Sequence, residues 1–204
     1  MLKKLQIVTE PNRVLREKAL DVTIARIGSK KIQDLIADMK VTLKATPDGV
    51  GLAAPQVGVG LRLFIVSDEA QEIDRTNAAK HDVQDYTSQS DVARTRAARF
   101  REKRNPDMVK PYPMRDWYYY VFINPHVLTK SRKKVDGPEG CLSVPGTFGN
   151  IKRQEKITVQ ALDEHGKKFT RGASRFFARV IQHELDHLEG ALFIDHATHV
   201  VKAE

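Results

Sequence analysis

The chain has 204 residues, 41% of them hydrophobic and 29% charged, enough for one ordinary domain that buries roughly 70% of its unfolded surface. Wholesale disorder and collagen-like repeats are excluded. No run approaches the ~18 apolar residues of a membrane span, and residues 1–10 lack the apolar stretch of a secretory signal, so a soluble, cytoplasmic protein is expected. Cys141 is the single cysteine; it cannot pair internally, which fits a reducing compartment and leaves a thiol for chemistry. Lys and Arg number 34 against 26 Asp and Glu, a net charge of +8 that favours polyanionic surfaces such as RNA.

In chain order, Ile32, Leu35, Ile36, Met39 and Leu43 mark an amphipathic helix over 29–44, begun by Ser29 and stopped by Thr46-Pro47-Asp48-Gly49. Residues 61–67 and 118–123 are β-branched and aromatic runs and predict strands. Residues 157–161 and 167–170 flank Asp163-Glu164-His165-Gly166, a hairpin signal. Short strands with few helices predict an α+β fold. Between the first two strands, 71–117 is charged and short of large apolar residues, and reads as a polar insertion in a single 1–204 domain. Within it 91–104 carries five arginines and a lysine, read as one solvated helix or an arm facing RNA.

Residues 174–189 predict the last helix. On its wheel Arg175, Arg179, Gln182, Asp186 and Glu189 form a narrow stripe assigned to water, while Phe176, Phe177, Val180, Ile181, Leu185 and Leu188 cover most of the rest. His183 and His187 project together beside Phe176 and Val180, and Glu184 points away from the stripe. An ionised carboxylate aimed inward costs several kcal/mol unless something uses it. The run His183-Glu184-Leu185-Asp186-His187 supplies the use: two imidazoles one turn apart bind one metal, and the intervening Glu serves a metal-bound water.

A catalytic metal takes three protein ligands and keeps one position open. Beyond Glu189, which follows His187 by only two positions, the sole downstream Glu is Glu204; Phe193 stands where a third histidine of the metzincin pattern would, and His196 and His199 are out of register. Upstream, the Gly- and Pro-bounded segment Glu139-Gly140-Cys141-Leu142-Ser143-Val144-Pro145-Gly146 offers a thiolate that completes the set. The loop Gly49-Val50-Gly51-Leu52-Ala53-Ala54-Pro55-Gln56-Val57-Gly58 superficially fits a dinucleotide fingerprint. That reading fails because no strand precedes it and Pro55 disfavours the helix a pyrophosphate needs. The loop instead offers exposed backbone and the amide of Gln56.

Three segments in this order, 49–58, 139–145 and 182–188, resemble the peptide deformylase family, with further likeness in Thr9-Glu10-Pro11, Leu15-Arg16 and Phe122-Ile123-Asn124-Pro125. The resemblance implies an α+β fold in which antiparallel strands pack around a central metal-binding helix. It implies removal of the formyl group from the initiator methionine of nascent chains. The implied cofactor is one divalent metal per chain, natively ferrous iron, with zinc, nickel or cobalt as substitutes in a purified sample. Cys141, His183 and His187 match the metal ligands, and Glu184 the general acid/base. Gln56, with the backbone N–H of Leu142, matches the oxyanion donors. Val50, Gly51 and Gly140 match backbone positions that pair with an extended substrate, Phe176 and Val180 match the methionine pocket, and Glu139 with Arg153 matches a supporting ion pair.

The mechanism so implied has Glu184 take a proton from a metal-bound water that attacks the formyl carbon. The expected partner is an N-formylmethionyl nascent peptide, with no membrane and no specific DNA. The arginine-rich insertion is one candidate for transient ribosome contact, since little chain follows 197 to form the basic C-terminal helix that docks some relatives. Phe148 stands where some relatives carry a substrate-contacting arginine, which leaves the grip beyond methionine open. The rival readings are a metallopeptidase or other amidase acting on an unformylated substrate, and a basic RNA-associated protein with a structural metal.

Overall fold

A computed structural model of the chain describes residues 2–47, 49–80 and 117–203. Residues 91–104, predicted as a solvated helix, lie outside the described residues. Among the described residues, eight strands form two antiparallel sheets. The larger joins β1 (Gly51–Ala53), β2 (Leu63–Ser67), β3 (Tyr119–Lys130), β6 (Lys156–Leu162) and β7 (Lys168–Ser174) in that order. The smaller joins β4 (Lys134–Cys141), β5 (Val144–Gln154) and β8 (Thr198–Lys202). Three α-helices of the described residues accompany them: α1 (Lys30–Lys44), α2 (Glu69–Lys80) and α3 (Arg175–Leu188). The fold is α+β, as expected.

The period of two in a strand explains how the larger sheet is covered on both sides. Phe64, Val66 and Phe122 pack on one face with Phe177, Val180, Ile181 and Leu188 of α3. Leu63, Ile65, Val121 and Ile123 pack on the other with Ile32, Ile36, Met39 and Leu43 of α1. All five residues of β2 are buried, which is why 63–66 reads as one unbroken apolar run and not as an alternation. The β6–β7 turn is fixed by Asp163, whose Oδ1 accepts from the backbone N–H groups of His165 and Lys167 at 2.9 Å each, and by Gly166 at φ 77°, a conformation that favours glycine.

Three expectations need correction or extension. Strand β3 runs on past Pro125 to Lys130, with Asn124 at φ 49° using its side chain to bond the N–H and C=O of Val22, both at 2.8 Å. The polar stripe of α3 does not face water throughout: Arg179 and Gln182 are 8% and 9% exposed, because the smaller sheet packs over them. Gln182 bonds the backbone N–H and C=O of Gln154 on β5 at 3.0 and 2.9 Å. The start of 71–117 is helical, and Asp74 of α2 accepts hydrogen bonds from the backbone N–H groups of Phe176 and Phe177 at 2.9 and 3.0 Å. It thereby caps α3, whose own N-cap residue Ser174 makes no side-chain cap.

Candidate active site

The chain's lone thiol ends β4, and the two imidazoles sit one turn apart on α3. Folding brings them together: the ligand atoms of Cys141, His183 and His187 lie within 4.8 Å of one another, with Cys141 Sγ 3.3 Å from His187 Nε2. Both histidines are buried and the cysteine is half-buried. His183 Nδ1 lies 2.9 Å from Glu139 Oε2. A carboxylate only accepts, so Nδ1 carries the proton of this hydrogen bond and Nε2 is the nitrogen left to face the site, where a bound cation would take the place of its proton. Burial works against the imidazolium of His183, but the Cys141 and Glu139 contacts outweigh it and hold its pKa well above the ordinary value. Burial, reinforced by His183 and Arg153, pushes His187 well below its own.

Glu184 is 3% exposed, and its Oε2 has no hydrogen-bond partner among the described residues. Burial, partly countered by His183, raises its pKa from 4.5 to about 7. Its neighbour is Gly51 on the edge strand β1. The amide of Gln56, 1% exposed, is oriented from behind: its Oε1 accepts from the Ala53 N–H at 2.9 Å. The Nε2 group therefore points at the site, 3.5 Å from Cys141 Sγ and 3.4 Å from Ser143 Oγ. The Ser143 N–H also lies 3.4 Å from the sulfur.

A cleft of about 240 Å³ opens in front of these groups. Val50, Gly51, Gly140, Leu142, Phe176 and Val180 line it together with Gln56, Cys141, His183 and Glu184. Every residue singled out from the sequence for metal, catalysis or substrate except His187 thus lines one cavity, and His187 touches the sulfur that does. The cleft lies between two sheet edges, β1 and β4, where an extended peptide can add as a strand. Gly140 is required on the second edge, because a Cβ there would come within 2.8 Å of the Phe148 ring.

Behind the ligands lies a buried charged network. Glu139 accepts from Arg153 Nε and Nη2, both at 2.9 Å, and from Arg179 Nη1 at 2.9 Å, while Arg153 reaches on to Asp186. Burial would raise the pKa of Glu139, but Arg153 and His183 hold it far below the usual carboxylate range. It stays ionised and fixes the tautomer of His183. The sequence pairs Glu139 with Arg153 but not with Arg179, which its wheel assigns to solvent. The signal that could have marked Arg179 is its position one turn before His183.

The donor set suits a metal. One thiolate and two imidazoles are three ligands of the soft and borderline kind that zinc and ferrous iron accept, leaving a position open. The buried, unpartnered Glu184 Oε2 fits a carboxylate kept for a ligand water. Among the described residues Cys141, His183 and His187 form the one group placed to hold an ion.

The sequence profile of the family described as polypeptide deformylase matches residues 4–203. The chain is 38% identical to peptide deformylase of Symbiobacterium thermophilum over 96% of its own length and 68% of the relative's. It is 35% identical to peptide deformylase 1 of Bacillus cereus over 95% of this chain and 92% of that one. Among solved structures, a Met-Ala-Ser-bound class I type b peptide deformylase from Acinetobacter baumannii is similar at a TM-score of 0.69 and 28% identity, covering 96% of this chain and 99% of that one. A probable peptide deformylase from Synechococcus phage S-SSM7 is similar at a TM-score of 0.67 and 30% identity, covering 95% and 99%. With a match along nearly its whole length and the same fold, this chain belongs to the polypeptide deformylase family, enzymes that remove the formyl group from N-formylmethionyl peptides.

Proposed function

We propose that the chain deformylates nascent polypeptides through a single metal site, with Cys141, His183 and His187 as ligands, Glu184 as the proton carrier, and Gln56 with the Leu142 N–H as oxyanion donors. The observation that carries this is convergence: a thiol, two imidazoles, an unpartnered carboxylate and a pre-aimed amide meet at one apolar cleft. Cys141, His183 and His187 would hold a divalent cation, on this reading ferrous iron, which when bound would supply Lewis acidity and make hydroxide available near neutral pH. Glu184, raised to about 7 by burial, accepts a proton from the attacking water and passes it to the departing amine. Charge developing on the formyl oxygen is met by Gln56 Nε2, held by its bond to Ala53, a donor fixed before reaction.

Phe176 and Val180 take the methionine side chain on this reading, and the main chain of Val50, Gly51 and Gly140 pairs with the peptide. That the Acinetobacter relative holds Met-Ala-Ser supports a peptide beginning with methionine as the ligand here. Residues 71–117 are an insertion in a single 1–204 domain, and their arginines are the candidate for transient ribosome contact in the cytoplasm, where formylated chains are made. A sedimentable ribosome complex that weakens with salt supports that contact.

The test is amine release from formyl-Met-Ala and acetyl-Met-Ala, assayed in parallel with protein loaded anaerobically with ferrous iron. Release from the formyl peptide alone is expected. Comparable release from the acetyl peptide overturns deformylation in favour of a broader amidase.

A further inference from the structure

We propose that Arg179 is a positioning residue for the metal site: its guanidinium clamps the strand carrying Cys141 onto the helix carrying His183 and His187, and so sets the separation of the three ligands. The proposal rests on the reading of those three residues as ligands. The two apolar clusters, which hold α1, α3 and the larger sheet together, include no residue of β4, β5 or β8. The smaller sheet, which brings the thiol, is therefore docked on α3 by something other than the main apolar core. The stripe Arg179, Gln182 and Asp186 does this with hydrogen bonds, and Arg179 contributes the most.

Its Nη1 donates to the carbonyls of Gly137 and Ile151 at 3.0 and 2.9 Å and to Glu139 Oε1 at 2.9 Å, while Nη2 donates to the carbonyl of Val135 at 2.8 Å. Three of these four acceptors belong to β4, within six residues of Cys141, and the donor stands one turn before His183. The strand passes so close that a Cβ on Gly137 would come within 2.9 Å of Nη2; the sequence keeps a glycine where the guanidinium needs room. A planar fork of five N–H donors can serve all four acceptors in one fixed geometry, whereas an ammonium has only three donors and no fork. Burying the charge at 8% exposure is costly unless every donor is used, and the Glu139 contact links the clamp to the His183 tautomer. Metal sites tolerate only tenths of an ångström in ligand placement, so a sheet docked by polar groups needs one that fixes its height.

The test measures zinc affinity by chelator competition for wild type, R179M, R179K and G137A, with C141S as control, and records the cobalt(II) absorption spectrum of each. R179M, R179K and G137A are expected to bind zinc about ten- to a hundredfold more weakly, with a cobalt spectrum shifted from the wild-type geometry. R179K keeps the charge and the stem, so it is the variant read where R179M fails to fold. Affinity within about twofold of wild type and an unchanged spectrum in a folded R179M or R179K overturn the clamp, as does full rescue by Lys. Undiminished zinc affinity in C141S instead removes the ligand set itself, and with it the underlying reading.

Discussion

Gly51 lies directly against the carboxyl group of Glu184: a Cβ on residue 51 would come within 2.9 Å of Glu184 Cδ. The edge strand β1 and the metal helix approach closely enough that only hydrogen fits between them. Replacing Gly51 with Ala should push the carboxylate aside without touching any proposed metal ligand. A displacement of about 1 Å costs on the order of a hundredfold in rate, so kcat/KM on formyl-Met-Ala should fall about that far while zinc content stays at wild-type level. Near-normal turnover in G51A removes Glu184 from its assigned role.

The pKa of Glu184 makes the metal-free protein sensitive to pH in a definite direction. A carboxyl raised from 4.5 to about 7 by burial keeps its proton in the folded state after the unfolded chain has released it. Its stabilisation is complete below pH 4.5 and is lost as pH rises through about 7. The gap corresponds to about 3 kcal/mol. E184Q carries no such group, so urea unfolding of chelator-treated protein should show E184Q gaining on wild type by up to about 3 kcal/mol between pH 4.5 and pH 8. Added zinc opposes the effect, because a nearby cation favours the carboxylate. Parallel pH profiles for the two proteins contradict the assignment.

How much of this could be read from the sequence depends on what each residue must do. His183, Glu184, His187 and Cys141 are legible because a small cation demands particular donor atoms at particular spacings. The α3 apolar face and the β2 run are legible because burial demands hydrocarbon. Arg179 and Gln182 are misread as solvent-facing, since a polar stripe looks the same whether it meets water or the main chain of another sheet. Strands β4 and β5 escape detection because Gly137, Pro138, Gly140, Pro145, Gly146 and Gly149 have low strand propensity. Their geometry comes from pairing with one another and from the clamp beneath them. Asp74 leaves no trace at all, its partners standing 102 and 103 residues away.

Gln56 has its oxygen committed to the main chain and its nitrogen turned to the site, which makes its role separable from its fold. Glu at this position keeps an oxygen to accept from the Ala53 N–H, now at 2.9 Å, but loses the amide hydrogens aimed at the site. Loss of one oxyanion donor costs about 10² to 10³ in kcat. Q56E should therefore unfold cooperatively like wild type, lose about that much kcat on formyl-Met-Ala, and leave KM within a few-fold. A variant whose KM rises while kcat holds points to substrate binding and not to charge stabilisation.

Asp74 tests whether the start of the insertion supports the metal helix. Both of its carboxylate oxygens accept from the first turn of α3, where two N–H groups need acceptors, Ser174 supplies none, and the helix dipole favours a negative charge. Its removal in D74A should cost about 1 kcal/mol, a fall of about 2–4 °C in the unfolding midpoint for a chain of this size. D74N keeps one acceptor and gives up the charge, so it should fall between, and its deficit should shrink at high salt, which screens the dipole. Because the cap lies two turns from His183 and touches neither β4 nor Glu139, zinc affinity should stay at the wild-type value in both variants. A drop in zinc affinity larger than the stability loss explains would show that the N-terminus of α3, and not only the clamp at Arg179, sets the height of the histidines above Cys141.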